Sequence, residues 1–265
     1  MQTILLLKSA FLCVFRFFGL SSFDTVTTLI LSRLVSFHPF FEVIPEIFDY
    51  FEDSASPSSG IVHDELLQRP GRLYVLSSHS HADHFNKEVL TFREKHPDIV
   101  YIFSQDILHE EKLLSTDAVW LKKGDCYADD VLRVHAFGST DVGISFLVEA
   151  EGKKIFHAGD LNNWHWMDES SEAEWKGYER DYLFELDCIC SYTRNMDVVM
   201  FPVDPRLGTE YMRGARQFVE QIKTSIFVPM HFDEAYDKAA AFLPIAQKNG
   251  ASMPMLRSRG REIDL

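Results

Sequence analysis

Cysteine is scarce in this chain. Its 265 residues hold four (Cys13, Cys126, Cys188 and Cys190), with no CxxC pair and no disulfide-framework spacing. A disulfide-stapled scaffold is therefore excluded, and a reduced, cytoplasmic setting is the simplest reading. Cys188 and Cys190 read as small apolar residues of a helix. Positive charge is also short. Lys and Arg number 26 against 40 Asp and Glu, a formal net charge of −14. That balance opposes binding to phosphate backbones, so nucleic acid is not an expected partner; a local cationic pocket for a small anionic substrate remains open. Long apolar runs are missing as well. Ile4–Leu7 and Phe11–Phe15 are flanked by Lys8 and Arg16, far short of the roughly eighteen residues a membrane-spanning helix needs. No stable membrane insertion is expected, and the charge order is not that of a secretory leader.

What is present is a core. Hydrophobic residues make up 46% and aromatics 13%, enough for one sizeable globular unit. Residues 1–45 read as an atypical N-terminal segment without a convincing β-hairpin and peripheral to any site. Residues 46–265 read as one mixed domain. Strands are expected at Glu46–Tyr50, Arg72–Ser78, Ile99–Ser104, Ala118–Leu121, Val131–Ala136, Gly143–Val148 and Lys154–Ala158, with Glu151-Gly152 as a hairpin turn. An acidic helical stretch spans 168–193 and carries Trp175, Tyr178, Tyr182, Leu183 and Leu186 at helical spacing. Strand, helix, strand, helix follow over Val198–Pro202, Tyr211–Ile222, Ser225–Val228 and Ala235–Gln247. Periodicity alone gives an α/β fold.

The most informative stretch is His79-Ser80-His81-Ala82-Asp83-His84, directly after the apolar run Leu73-Tyr74-Val75-Leu76. A strand ending in three imidazoles and a carboxylate presents several metal-ligating groups at one point. Imidazole suits zinc, iron and nickel, and a carboxylate adds a hard anionic ligand.

This loop resembles the HxHxDH signature of the metallo-β-lactamase fold superfamily. Phe156-His157-Ala158-Gly159-Asp160 resembles the later strand-plus-GD motif, and Phe227-Val228-Pro229-Met230-His231 the last one, a strand ending in a ligand histidine. The resemblance runs from about Ile47 to the C-terminus; the GDLN-type loop and Pro202-Val203-Asp204-Pro205-Arg206 are similar to the lactonase-like metal-dependent hydrolases. It implies an αββα sandwich of two mixed β-sheets flanked by helices. It also implies two divalent ions, zinc first, with manganese or iron as alternatives. His79 and His81 would serve one ion, Asp83, His84 and His231 the other, and Asp160 would bridge them. Asp83 and Asp160 are the implied catalytic carboxylates.

One position departs from that pattern. Where two-metal members carry a further histidine, this chain reads Phe137-Gly138-Ser139-Thr140-Asp141-Val142-Gly143. Asp141 is the candidate replacement ligand, against an ordinary turn aspartate; His135, inside a strand, is weaker. His165, between Trp164 and Trp166, is a candidate substrate contact or general acid, against a self-packed aromatic lid. Arg206 is a candidate clamp for a carboxylate or phosphate, against a salt bridge to Asp204 that only shapes the loop. His157 is expected close behind the site and not as a ligand.

The function this implies is a hydrolase using metal-bound hydroxide on a small ester, lactone, amide or phosphoester. A non-catalytic metal-binding protein that kept the fold after losing a ligand is the alternative. A nuclease is disfavoured by the acidic charge.

Overall fold

A computed structural model describes residues 10–16, 26–32, 46–53, 55–56, 58–113, 117–258 and 261–264. Among the described residues thirteen strands form two sheets. In chain order they are β1 (Ala10–Arg16), β2 (Val26–Ser32), β3 (Glu46–Phe48), β4 (Leu73–Ser77), β5 (Ile99–Ser104), β6 (Val119–Leu121), β7 (Cys126–Ala128), β8 (Leu132–Gly138), β9 (Ile144–Ala150), β10 (Lys153–His157), β11 (Asn195–Pro202), β12 (Lys223–Met230) and β13 (Arg261–Asp264). One sheet runs β13-β1-β2-β3-β4-β5-β6 and the other β12-β11-β10-β9-β8-β7. Both are mixed. β3 to β6 are parallel in the first sheet and β10 to β12 in the second; the remaining pairs are antiparallel.

The strand sequences explain the layering. Side chains alternate faces along a strand, so Tyr74 and Leu76 of β4 enter the main core between the sheets. Leu73 and Val75 enter a second, outer cluster with Val62, Leu66, Val89 and Phe92 from the short helical segments Ile61–Gln68 and Lys87–Lys95. All five residues of β4 are buried, as an inner parallel strand covered on both faces requires. The second sheet is covered by the helix Glu172–Tyr192, which buries Tyr182, Leu186, Ile189 and Cys190 at i, i+4, i+7 and i+8. A Ser171/Glu174 capping box starts it. Leu186 and Ile189 pack in one core with Val134, Phe156 and Phe201. This is the αββα sandwich of two mixed sheets that the resemblance implies.

Several local expectations differ. β1 and β2 pair as an antiparallel hairpin, and β2 continues onto β3 through Leu29–Phe48. The expectation of no hairpin before Glu46 is thus corrected. β1 reads Ala-Phe-Leu-Cys-Val-Phe-Arg, with none of the alternation that marks a half-buried strand. The rest of the segment assigned to residues 1–45 lies outside the described residues. Ala235–Gln247 breaks into Tyr236–Ala240 and Leu243–Lys248, because Pro244 begins a new helix. The hairpin turn at Glu151-Gly152 joins β9 to β10, both residues at positive φ. Among the described residues no helix is long and apolar enough to cross a membrane.

Candidate metal centre

Five strands deliver the site by their C-terminal ends. Asp49 follows β3, the histidine loop follows β4, Asp160 follows β10, Asp204 follows β11 and His231 follows β12. Parallel pairing aligns those ends within each sheet, and stacking the sheets brings the two sets face to face. Asp49 and His231 adopt left-handed backbone conformations, with φ 43° and 61°. Side chains disfavour that region. Gly159 turns the chain ahead of Asp160 at φ 52°, and a Cβ there would lie 2.7 Å from the Ser78 Cβ. The close approach of the two loops, as well as the turn, requires glycine.

The site residues from the three motifs converge. Asp160 Oδ1 lies 3.1 Å from His231 Nε2 and 3.2 Å from His84 Nε2, and Asp160 Oδ2 lies 3.4 Å from His79 Nε2. Asp83 Oδ2 is 3.3 Å from His84 Nε2. His79 Nε2 and His81 Nδ1 are 3.0 Å apart, and His81 Nδ1 is 3.9 Å from Asp141 Oδ2. Ligand-type atoms of His79, His84 and Asp160 lie within 4.8 Å of one another. So do those of His79, His81 and Asp83, those of Asp83, His84 and His231, and those of His81, Asp141 and Asp160. The last group is the more open, with His81 and Asp141 side chains 49% and 47% exposed.

Outer carboxylates orient the imidazoles. Asp49 Oδ2 accepts from Ser78 Oγ at 2.7 Å and lies 2.8 Å from His84 Nδ1. Ser78 Oγ in turn lies 3.0 Å from His79 Nδ1. On the opposite side Asp204 Oδ2 is 3.0 Å from His231 Nδ1. These partners fix Nδ1–H on each ring and turn its Nε2 lone pair inward.

Burial and charge set the protonation of the cluster. Burial pushes the Asp160 carboxyl up, but His84 and His231 outweigh it and hold it well below the carboxylate range. Burial likewise opposes ionisation of Asp83, yet His84 and His231 bring it down to about 2. His231 is lifted against burial to about 9 by Asp160 and Asp204, and His84 well above its usual value by Asp160, Asp83 and Asp49. His79 goes the other way, to about 4, through burial and the neighbouring His84. The carboxylates demand positive charge, and protons on two histidines supply it when nothing else does.

The donor set fits divalent cations on independent grounds. His84 Nε2, His231 Nε2 and Asp160 Oδ1 are buried, the oxygen lies 3.1–3.2 Å from each nitrogen, and none of the three makes a hydrogen bond of ordinary geometry. Buried polar atoms are rarely left so. His79 Nε2 and His81 Nδ1, both able to act as lone-pair donors, point together at 3.0 Å. Convergent imidazole nitrogens and carboxylate oxygens are the donor set that surrounds such an ion.

The remaining candidates fall differently. Arg206 is tied to Asp204 through Nε at 3.0 and 2.9 Å and Nη2 at 2.6 Å, and the side chain stays 42% exposed. It shapes the loop and still lines the pocket. His165 is corrected: it is fully buried, accepts from Met167 N–H at Nδ1 and donates from Nε2 to Glu210 O. Both ring nitrogens are committed to backbone, and the ring does not line the pocket. His135 bonds Tyr192 and Glu149 on the surface of the second sheet, away from the cluster. His157 is buried, stacks on Phe48 and lies 3.6 Å from Asp49.

Asp49 was not singled out from the sequence. Its signal is an acid at the end of a strand parallel to the one carrying the histidine loop. Trp164 and Trp166 are pocket residues while the histidine between them is not. Alternation along an extended segment could have indicated that.

The pocket over the cluster is about 600 Å³, walled by Asp83, Asp141, Asp160, Trp164, Trp166 and Arg206 among others. Thr140 Oγ1 donates to Asn162 O and accepts from Asn162 N–H, tying the Asp141 loop to the Asp160 loop.

No family model matches the sequence, and no curated protein does. Solved structures do. The metallo-β-lactamase fold protein YhfI from Bacillus subtilis matches with a TM-score of 0.60 at 8% identity, covering 97% of this chain and 99% of that one. A diphosphatase of the PhnP family matches at TM-score 0.52 and 8% identity, covering 98% of each chain. The short form of human tRNase Z matches at 0.51 and 11%, covering 96% and 98%. The chain has the metallo-β-lactamase fold.

Proposed function

We propose that the chain is a metal-dependent hydrolase of small molecules with a two-ion centre. The observation that carries this reading is the convergence of His84 Nε2, His231 Nε2 and Asp160 Oδ1, all buried and without a hydrogen bond of ordinary geometry. His79, His81 and Asp141 would hold one ion, Asp83, His84 and His231 the other, with Asp160 between them. When bound, two such ions would supply an activated water nucleophile and a Lewis acid for the scissile group. The protein's own part is positional. Asp49 and Asp204 keep the imidazole lone pairs aimed inward. Asp83 stays ionised at the pocket wall. The Thr140–Asn162 link keeps the two carboxylate loops in register.

The imidazole-rich second position suits zinc, and the Asp141 carboxylate makes the first position more tolerant of manganese or iron. Among the described residues Arg206 is the one Lys or Arg lining the pocket. With two neighbours named for phosphate chemistry, a diphosphatase and a tRNase, it favours a phosphoester over an ester, lactone or amide. A net charge of −14 and a pocket of about 600 Å³ favour a small molecule over nucleic acid.

The half-exposed His81 and Asp141 favour a second reading, in which one position holds its ion weakly and the protein binds metal without turnover. The test is metal analysis of the purified chain beside turnover of generic phosphodiester, ester and lactone substrates. Turnover that a chelator abolishes and zinc or manganese restores supports the hydrolase. One tightly held ion, with no turnover of any of them, supports the second reading.

A further inference from the structure

Part of the pocket lining is aromatic, and its construction is costly in ways the metal centre does not require. Trp164 donates its indole N–H to Asp160 O at 2.8 Å and lies edge-on to His231, with ring centroids 5.6 Å apart at 65°. That places one indole in contact with two of the metal-centre residues. Trp166 stands beside it, the two planes within 16° and the centroids 6.4 Å apart. Trp166 holds a left-handed backbone, φ 45°, a conformation bulky side chains disfavour. The segment is pinned there from both sides. His165 Nδ1 accepts from Met167 N–H, and Trp166 O accepts from the amides of Glu169 and Ser170. Asn163 anchors the preceding turn through Glu179 and Gln217. Tyr178 lines the same pocket from the helix Glu172–Tyr192 while 43% exposed.

We infer that Trp164, Trp166 and Tyr178 form a subsite for a flat ring on the substrate, carried next to the bond that is cleaved. The inference rests on the hydrolase reading and narrows its substrate class to esters or phosphoesters of an aromatic or heteroaromatic group. The near-parallel orientation of the two indoles is the specific observation. A planar ring lying parallel to one indole lies parallel to both, and aromatic pairs gain from that geometry beyond buried area. An alkyl group of equal size gains only the area. Backbone strain at an aromatic residue that faces a ligand pocket is a pattern in which conformation is held for binding. His165 is a positioning residue in this arrangement: it fixes the chain on the C-terminal side of Trp166.

Phenylphosphonate and cyclohexylphosphonate separate the two cases. They share a headgroup and nearly a volume, and differ in flatness. Binding of each to the full chain, loaded with zinc, is measured by isothermal titration calorimetry, with metal content checked in parallel. The wild type should bind the phenyl compound roughly threefold to tenfold more tightly. Trp166→Ala should remove that preference while metal content stays at the wild-type value, and Trp166→Phe should retain part of it. Tyr178→Ala, at an exposed position that does not test folding, should reduce it. Equal affinities in the wild type, absence of binding by both compounds, or a preference untouched by Trp166→Ala and Tyr178→Ala would overturn the subsite. A ring preference without turnover would leave the subsite standing and remove the hydrolase. Turnover without a ring preference would do the converse.

Discussion

Asp204→Asn isolates the outer support of the metal centre. The Asp204 carboxylate is fully buried and serves two donors at once: His231 Nδ1 at 3.0 Å and the Arg206 guanidinium at 2.6–3.0 Å. Burial opposes its ionisation, but His231 and Arg206 hold its pKa below the usual range. Asparagine keeps the size and loses the charge. Its NH₂ meets donors either way round, the Arg206 backbone N–H and Nε–H at the Oδ1 place or His231 Nδ1–H and Arg206 Nη2–H at the Oδ2 place. The expected result is a His231 ring that no longer holds its Nε2 lone pair on the ion. Loss of such a support lowers metal affinity by about 10- to 100-fold, or about 1.4–2.7 kcal/mol. Competition against a chromogenic chelator reads this directly, one ion at a time. Arg206→Gln serves as control, because Asp204 then remains with His231 alone and affinity should fall less. If Asp204→Asn holds both ions as tightly as wild type, the orientation argument for His231 is wrong.

Glu46, almost wholly buried, has an oxygen without a partner, and burial lifts its carboxyl from 4.5 to about 8. The folded state therefore binds this proton more tightly than the unfolded chain. The stability it supports is complete below about pH 4.5 and lost as pH rises through about 8. Glu46→Gln should match wild type in acid and exceed it by roughly 3–5 kcal/mol above pH 8; parallel urea titrations at pH 5 and pH 8.5 that shift together would contradict this. Gly159→Ala should cost about 2–4 kcal/mol through left-handed strain and collision with Ser78, and should lower metal content as well. An unchanged melting temperature would show that the two loops are not packed as described.

The ligand cluster was legible because its residues are dense and sit at strand ends. His79 to His84 supply four metal-ligating groups in six residues, and Asp160 and His231 each follow a short apolar strand. The inner strands read clearly because β4, β5 and β11 are nearly continuous apolar runs. β1 is as apolar but shows no alternation, and without it an apolar run does not read as a strand. β7 and β13, three and four residues long, were too short to stand out. The outer supports were harder for another reason. Asp49 acts through contacts with Ser78 and His84, 29 and 35 positions away, and nothing local marks an aspartate as a partner of a distant imidazole. His165 misled because proximity to Asp160 in sequence is not proximity in space: the backbone around it turns the ring into the core and its neighbours outward.

The central claim is that Asp160 lies between two ion positions. It is tested by metal content per chain, measured by plasma mass spectrometry after equilibration with zinc or manganese and gel filtration. The wild type should carry two ions. Asp160→Ala should lose binding at both positions and fall below one, while Asp141→Ala should lose only the more open position and retain about one. Equal metal content in wild type and Asp160→Ala would contradict the account.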